Sequence, residues 1–142
     1  MPMIDAYTPT GLIADPHALA KALATAVMDI EQVPPIAMFR ENTAAYVHQL
    51  PAAAISDVDG SSDHVRVQVL TNAGALDRDK QLAIVERLTA IVVDAAGDPS
   101  YATRTWVLLT EANPGGWGVE GHAYTNDEIA VEARRRIAAG GA

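Results

Sequence analysis

Apolar and polar residues alternate strictly from His64 to Leu70, as His-Val-Arg-Val-Gln-Val-Leu. Side chains two apart share one face of an extended chain, so this stretch predicts a half-buried strand. A different period rules residues 16–33. There Leu19, Leu23, Val27 and Ile30 recur at the three- and four-residue spacing of a helix face. Asp15-Pro16 opens that helix, because Asp caps free backbone N–H groups and Pro fits the first helical turn. Pro34-Pro35 closes or interrupts it. Residues 36–42 read equally as one more helical turn or as a loop. A second long helix is predicted from about Asp77 to Ala96, with Leu82, Val85, Leu88 and Val92 as its apolar stripe. Gly97-Asp98-Pro99 stops it.

Three further strands complete the pattern. Residues 2–8 are short and extended, followed by a turn at Thr8-Pro9-Thr10-Gly11. Ala44–Leu50 and Thr103–Thr110 are the others, and Asn113-Pro114-Gly115-Gly116 is a turn. Thr125-Asn126-Asp127-Glu128 is a capping box that opens a last helix to about Ala138. The order is therefore β-α-β, then β-α-β, then a tail. We expect an α+β domain over 1–142, with units at 2–50 and 64–111 and a tail at 112–142. Long crossovers give parallel strand pairs and are nearly always right-handed. Two such units make a four-stranded sheet with two helices on one face. Its other face is left bare and needs a cover, most simply a second copy of the chain.

Composition narrows the function. The 142 residues are 49% hydrophobic, with one Phe, two Trp and four Tyr, so Ala and Val fill much of the core. The net charge is −8. That argues against nucleic acid, which needs a clustered basic face. The basic run Arg134-Arg135-Arg136 sits at a helix C-terminus, where cations are favoured. Absence of cysteine removes thiol nucleophiles, disulfides and Cys-ligated metals. No apolar run is long enough to span a bilayer, and the first residues lack a secretory pattern, so a cytoplasmic location is expected. His17, His48, His64 and His122 have no ligand spacing on a common helix, so no metal is expected. Gly115-Gly116-Trp117-Gly118 precedes no helix directly and lacks the lysine of a phosphate loop.

Met1-Pro2 with its extended continuation, the two β-α-β units, Gln49-Leu50-Pro51, Gln81-Leu82-Ala83, Thr105-Trp106-Val107 and Val119-Glu120-Gly121 occur in one order along the chain. In this it resembles the tautomerase superfamily, over about residues 2–130. The likeness is closest to the long, fused-repeat members, whose relatives include 4-oxalocrotonate tautomerase, macrophage migration inhibitory factor, malonate semialdehyde decarboxylase and cis-3-chloroacrylic acid dehalogenase. The resemblance implies removal of Met1, a homotrimer, no cofactor, and Pro2 as general base and acid on a small-molecule substrate. A proline nitrogen is an amide inside a chain and a basic secondary amine only at a free N-terminus. A free α-amine titrates near pH ~8, and burial in an apolar pocket lowers that value. A group poised near the working pH can take a proton and return it.

The expected reaction is keto–enol isomerisation of small enolisable carbonyl compounds. Hydrolytic dehalogenation or decarboxylation of small acids, and a non-catalytic ligand-binding trimer, are the alternatives. The sequence departs from the dehalogenase and decarboxylase members. Asn72 and Ala75 stand where their arginine pair is expected. Glu31 takes the place of a dehalogenase histidine and Leu108 that of a tyrosine. Glu120 matches the acid beyond the fourth strand. Candidate catalytic residues are thus Pro2 and Glu120. Candidate substrate-binding residues are Asn72, Arg40, Arg66 and Trp117. Arg40 and Arg66 also read as surface ion pairs, Asn72 as a turn residue, and Glu120 as an ordinary loop carboxylate. Trp106, in a strand, reads as core.

Overall fold

The computed structural model describes residues 1–140. The predicted tail extends to 142, and its last two residues lie outside the described ones. Strand β1 (Met3–Pro9) leads to helix α1 (Pro16–Glu31), a short helix α2 (Ala37–Glu41) and β2 (Ala44–Leu50). The second unit is β3 (Val65–Asn72), α3 (Arg78–Ala96) and β4 (Thr105–Ala112). Two three-residue strands follow, β5 (Trp117–Val119) and β6 (His122–Tyr124), and then α4 (Asn126–Ala138).

The helix starts carry the signals read from the sequence. The Asp15 carboxylate accepts the Ala18 N–H at 2.9 Å, and the Asp77 carboxylate accepts that of Lys80 at 2.9 Å. Thr125 and Glu128 exchange side-chain and backbone bonds as a capping box. Helix α3 ends at Gly97, whose φ of 65° a residue with a Cβ rarely adopts.

The large sheet has the order β2-β1-β3-β4. Each β-α-β unit gives a parallel pair, β1 with β2 and β3 with β4. The two units meet antiparallel along β1 and β3, with Ile4 opposite Val69 and Ala6 opposite Val67. One face packs on α1 and α3 through Ile4, Ala6, Val65, Val67, Leu23 and Leu88. The expected arrangement of two helices on one face is therefore the one observed.

The stripe expected on α3 is corrected. Leu82 and Val85 are 52% and 39% exposed, whereas Ile84, Leu88, Ile91 and Val92 are buried. At about 100° per residue, Leu82 lies roughly 120° round the helix from Leu88. Residues 36–42 hold one short helix, and residues 117–124, within the predicted tail, form a small hairpin.

Among the described residues, no helix layer covers the opposite sheet face. His48, Tyr7, Arg66 and Trp106 form one row across its four strands, and Tyr46, Asp5, Gln68 and Leu108 form the next. Trp106, expected in the core, is 48% exposed on this face and stacks on His64 with ring centroids 4.7 Å apart. Parity explains it: Val65, Val67 and Val69 take the helix-facing positions, so their neighbours in β4 leave Trp106 outward. Among the described residues, no helix is long and apolar enough to cross a membrane.

Candidate active site

A second apolar cluster lies beyond the end of the sheet that carries the N-terminus. Met1, Ile36, Met38, Phe39, Trp117, Ile129 and Ala133 are its buried members. Four separate segments build it. The turn after Pro34-Pro35 brings Ile36, Met38 and Phe39, β5 brings Trp117, and α4 brings Ile129 and Ala133. Pro2 is buried at the root of β1, and its carbonyl accepts the Ala44 N–H at 3.2 Å. That bond joins the N-terminus to the start of β2 and fixes where Met1 enters the cluster.

Glu31, the last residue of α1, brings a carboxyl group into this region. Its residue exposure is only 6%, and its Oε2 lies 3.6 Å from the Met1 ammonium. Oε2 has no hydrogen-bond partner. The ion pair is thus a close electrostatic contact without the bonding that normally compensates a buried charge. Burial lowers the ammonium's pKa below its ordinary value, and the Glu31 charge opposes that shift.

Met1 and Glu31 border a recess of about 320 Å³ together with Val33, Phe39, Asn72 and Ile129. The loop after β3 forms one wall, and the start of α4 forms another. The Asn126 amide donates to the Ala73 carbonyl at 2.8 Å and ties these walls together. Among the described residues, no group of three His, Asp or Glu is arranged to hold a metal ion.

Comparison of the whole fold places it among known structures. A fused 4-OT symmetric trimer superposes with a TM-score of 0.72 at 20% identity, covering 89% of this chain and 98% of that one. N1, a member of the cis-3-chloroacrylic acid dehalogenase family, gives 0.70 at 20% identity, covering 92% and 90%. Macrophage migration inhibitory factor of Toxoplasma gondii gives 0.64 at 18% identity, covering 86% and 99%. The chain has the tautomerase-superfamily fold. No family model matches the sequence, and no curated protein matches it.

Within this tautomerase fold the expected site residues separate into two groups. Pro2, Asn72 and Trp117 gather around the N-terminus: Pro2 follows Met1, Asn72 lines the recess, and Trp117 packs in the Met1 cluster. Trp117, within the run Gly115-Gly116-Trp117-Gly118, lies buried in β5. The other three sit elsewhere. Arg40 donates to the Pro35 carbonyl and lines a separate groove with His17 and Lys21. Arg66 is on the open sheet face, bonded to Gln68 with its guanidinium 5.3 Å from the Tyr7 ring centre. Glu120 occupies the β5–β6 turn at φ 53°, with its carboxylate 3.8 Å from Arg136. None of these three lines the recess.

Glu31 was legible only as a departure from the dehalogenase pattern. A stronger signal was present. Leu19, Leu23, Val27 and Glu31 follow at intervals of four, so the carboxylate continues the buried face of α1.

Proposed function

We propose that this protein is a cofactor-independent tautomerase that works after Met1 is removed, with the freed Pro2 nitrogen as its proton-transfer group. The observation that carries this reading is the place of the N-terminus, sealed in an apolar cluster beside a solvent-open recess. Removing Met1 extends that recess to the Pro2 nitrogen. The amine then stands where burial disfavours its charged form, as it already does for the Met1 ammonium. The fold shared with the 4-OT and cis-3-chloroacrylic acid dehalogenase structures supports the same reading.

The chemistry is a relocation of one proton. The uncharged Pro2 nitrogen takes a proton from the α-carbon of a keto substrate, leaving an enolate. The resulting ammonium returns a proton to the enolate oxygen, and the nitrogen ends as it began. The reverse sequence ketonises an enol. Asn72 lines the recess, and its amide is the group proposed to donate to the enolate oxygen. We further propose a homotrimer, with neighbouring copies covering the open sheet face.

The test is ketonisation of a panel of charged and neutral enols, followed in the ultraviolet on protein whose intact mass shows loss of Met1. Pro2-dependent turnover of at least one enol is expected. Pro2→Ala should lower kcat/KM by about 10²-fold or more, the usual contribution of a positioned acid–base group. Retained Met1, no turnover, or an unaffected Pro2→Ala variant with native circular dichroism would overturn the proposal.

A further inference from the structure

We infer that the recess selects substrates lacking a carboxylate at their reacting end, such as small neutral ketones and aldehydes, and that Glu31 imposes this selection. The inference rests on the role proposed for Pro2 and adds the substrate class.

Three observations combine. First, the Glu31 carboxylate is almost wholly buried, and its Oε2 accepts no hydrogen bond. The charge it faces is the ammonium of Met1, 3.6 Å away. Loss of Met1 moves the amine one residue back along the chain. Glu31 and the Pro2 nitrogen then flank the space that Met1 held. Second, among the described residues no lysine or arginine lines the recess. Lys80 reaches α1 but donates to the Glu31 backbone carbonyl, at 3.1 Å. Arg135 and Arg136 are bonded to Glu132, and Arg40 lines the separate groove. Third, the cluster that buries the Met1 side chain is apolar, with Ile36, Phe39, Trp117 and Ile129 among its members, and the polar side chains of the recess besides Glu31 are the uncharged Asn72 and Asn126.

An incoming carboxylate would leave water for a recess that already holds the Glu31 carboxyl group and has no lysine or arginine among its described lining residues. Two carboxylates brought together there repel, and water at the mouth of the recess screens them less well than bulk solvent does. A neutral substrate meets no such barrier. Its enol O–H can donate to the free Glu31 oxygen, and its apolar tail can take the place of the unbranched Met1 side chain. The acidic residue that stands here thus works against the small carboxylic acids on which dehalogenation and decarboxylation act.

Alkylation of Pro2 tests this without requiring turnover. Bromoacetone and 3-bromopyruvate carry the same reactive carbon, and a carboxylate in the second replaces a methyl group in the first. Second-order rate constants for modification at Pro2, located by peptide mass spectrometry, are each divided by the rate with a free Pro-Met-Ile-Asp peptide. The normalised rate for bromoacetone should exceed that for bromopyruvate at least ten-fold. Glu31→Gln, equal in shape and uncharged, should shrink that ratio at least five-fold, while Glu86→Gln on the exposed side of α3 leaves it unchanged. A wild-type ratio of one or less overturns the inference and leaves Pro2 reactive. This holds even if Glu31→Gln fails to fold. A ratio unchanged in folded Glu31→Gln also overturns it. Failure of both reagents to modify Pro2 rejects the Pro2 reading itself, and the substrate class falls with it.

Discussion

Trp117 closes the N-terminal cluster from the side of β5, and it is 5% exposed. Truncating an aromatic of this size leaves a void that backbone hairpins fill poorly. Trp117→Ala should cost about 3–5 kcal/mol of folding stability, as such core truncations do. Chemical denaturation would read it as a lower midpoint with an unchanged slope. The same change should loosen the wall beside Met1 and raise KM more than it lowers kcat. At this scale the sequence was legible where geometry is local. The resemblance points to Pro2 and Asn72, and Pro2 lies next to Met1 while Asn72 lines the recess. Arg66 and Glu120 were harder. Whether a strand residue points toward a site depends on which face the helices cover. Whether a turn residue reaches a site depends on how the hairpin folds back. Neither is fixed by spacing.

Helix α3 shows where element-level reading succeeds and where it stops. Its start at Asp77 and stop at Gly97 follow from side-chain capping and a left-handed φ, both local properties. Its buried face depends on contacts with α1 and β4, and a continuous supply of Leu, Val and Ile offers two helical stripes. Tertiary packing chose the one through Ile84. Strand β1 was clearer, because Ile4, Ala6 and Thr8 alternate with Met3, Asp5 and Tyr7 in burial. The hairpin of β5 and β6 escaped notice for a physical reason. Three-residue strands are too short to display a period, and Trp117 of this pair is buried in the N-terminal cluster.

At the scale of the molecule, the proposed assembly turns on the open sheet face. Tyr46, Trp106 and Leu108 are between 44% and 54% exposed on it, in rows shared with Asp5, Arg66 and His48. An aromatic surface of that kind is costly to leave in water. The proposed trimer would cover it. Leu108→Arg should shift the protein to monomers in analytical ultracentrifugation, with helix content retained. A wild-type monomer at micromolar concentration would contradict the trimer. The account as a whole depends on a proline nitrogen whose charged form is disfavoured by its surroundings. Burial lowers the basicity of the amine at this end of the chain even with Glu31 beside it. The most direct test is a pH titration of the Pro2 nitrogen by ¹⁵N magnetic resonance in the protein lacking Met1. The account predicts a midpoint below that of a free Pro-Met-Ile-Asp peptide measured alongside. A midpoint equal to or above the peptide's would contradict it.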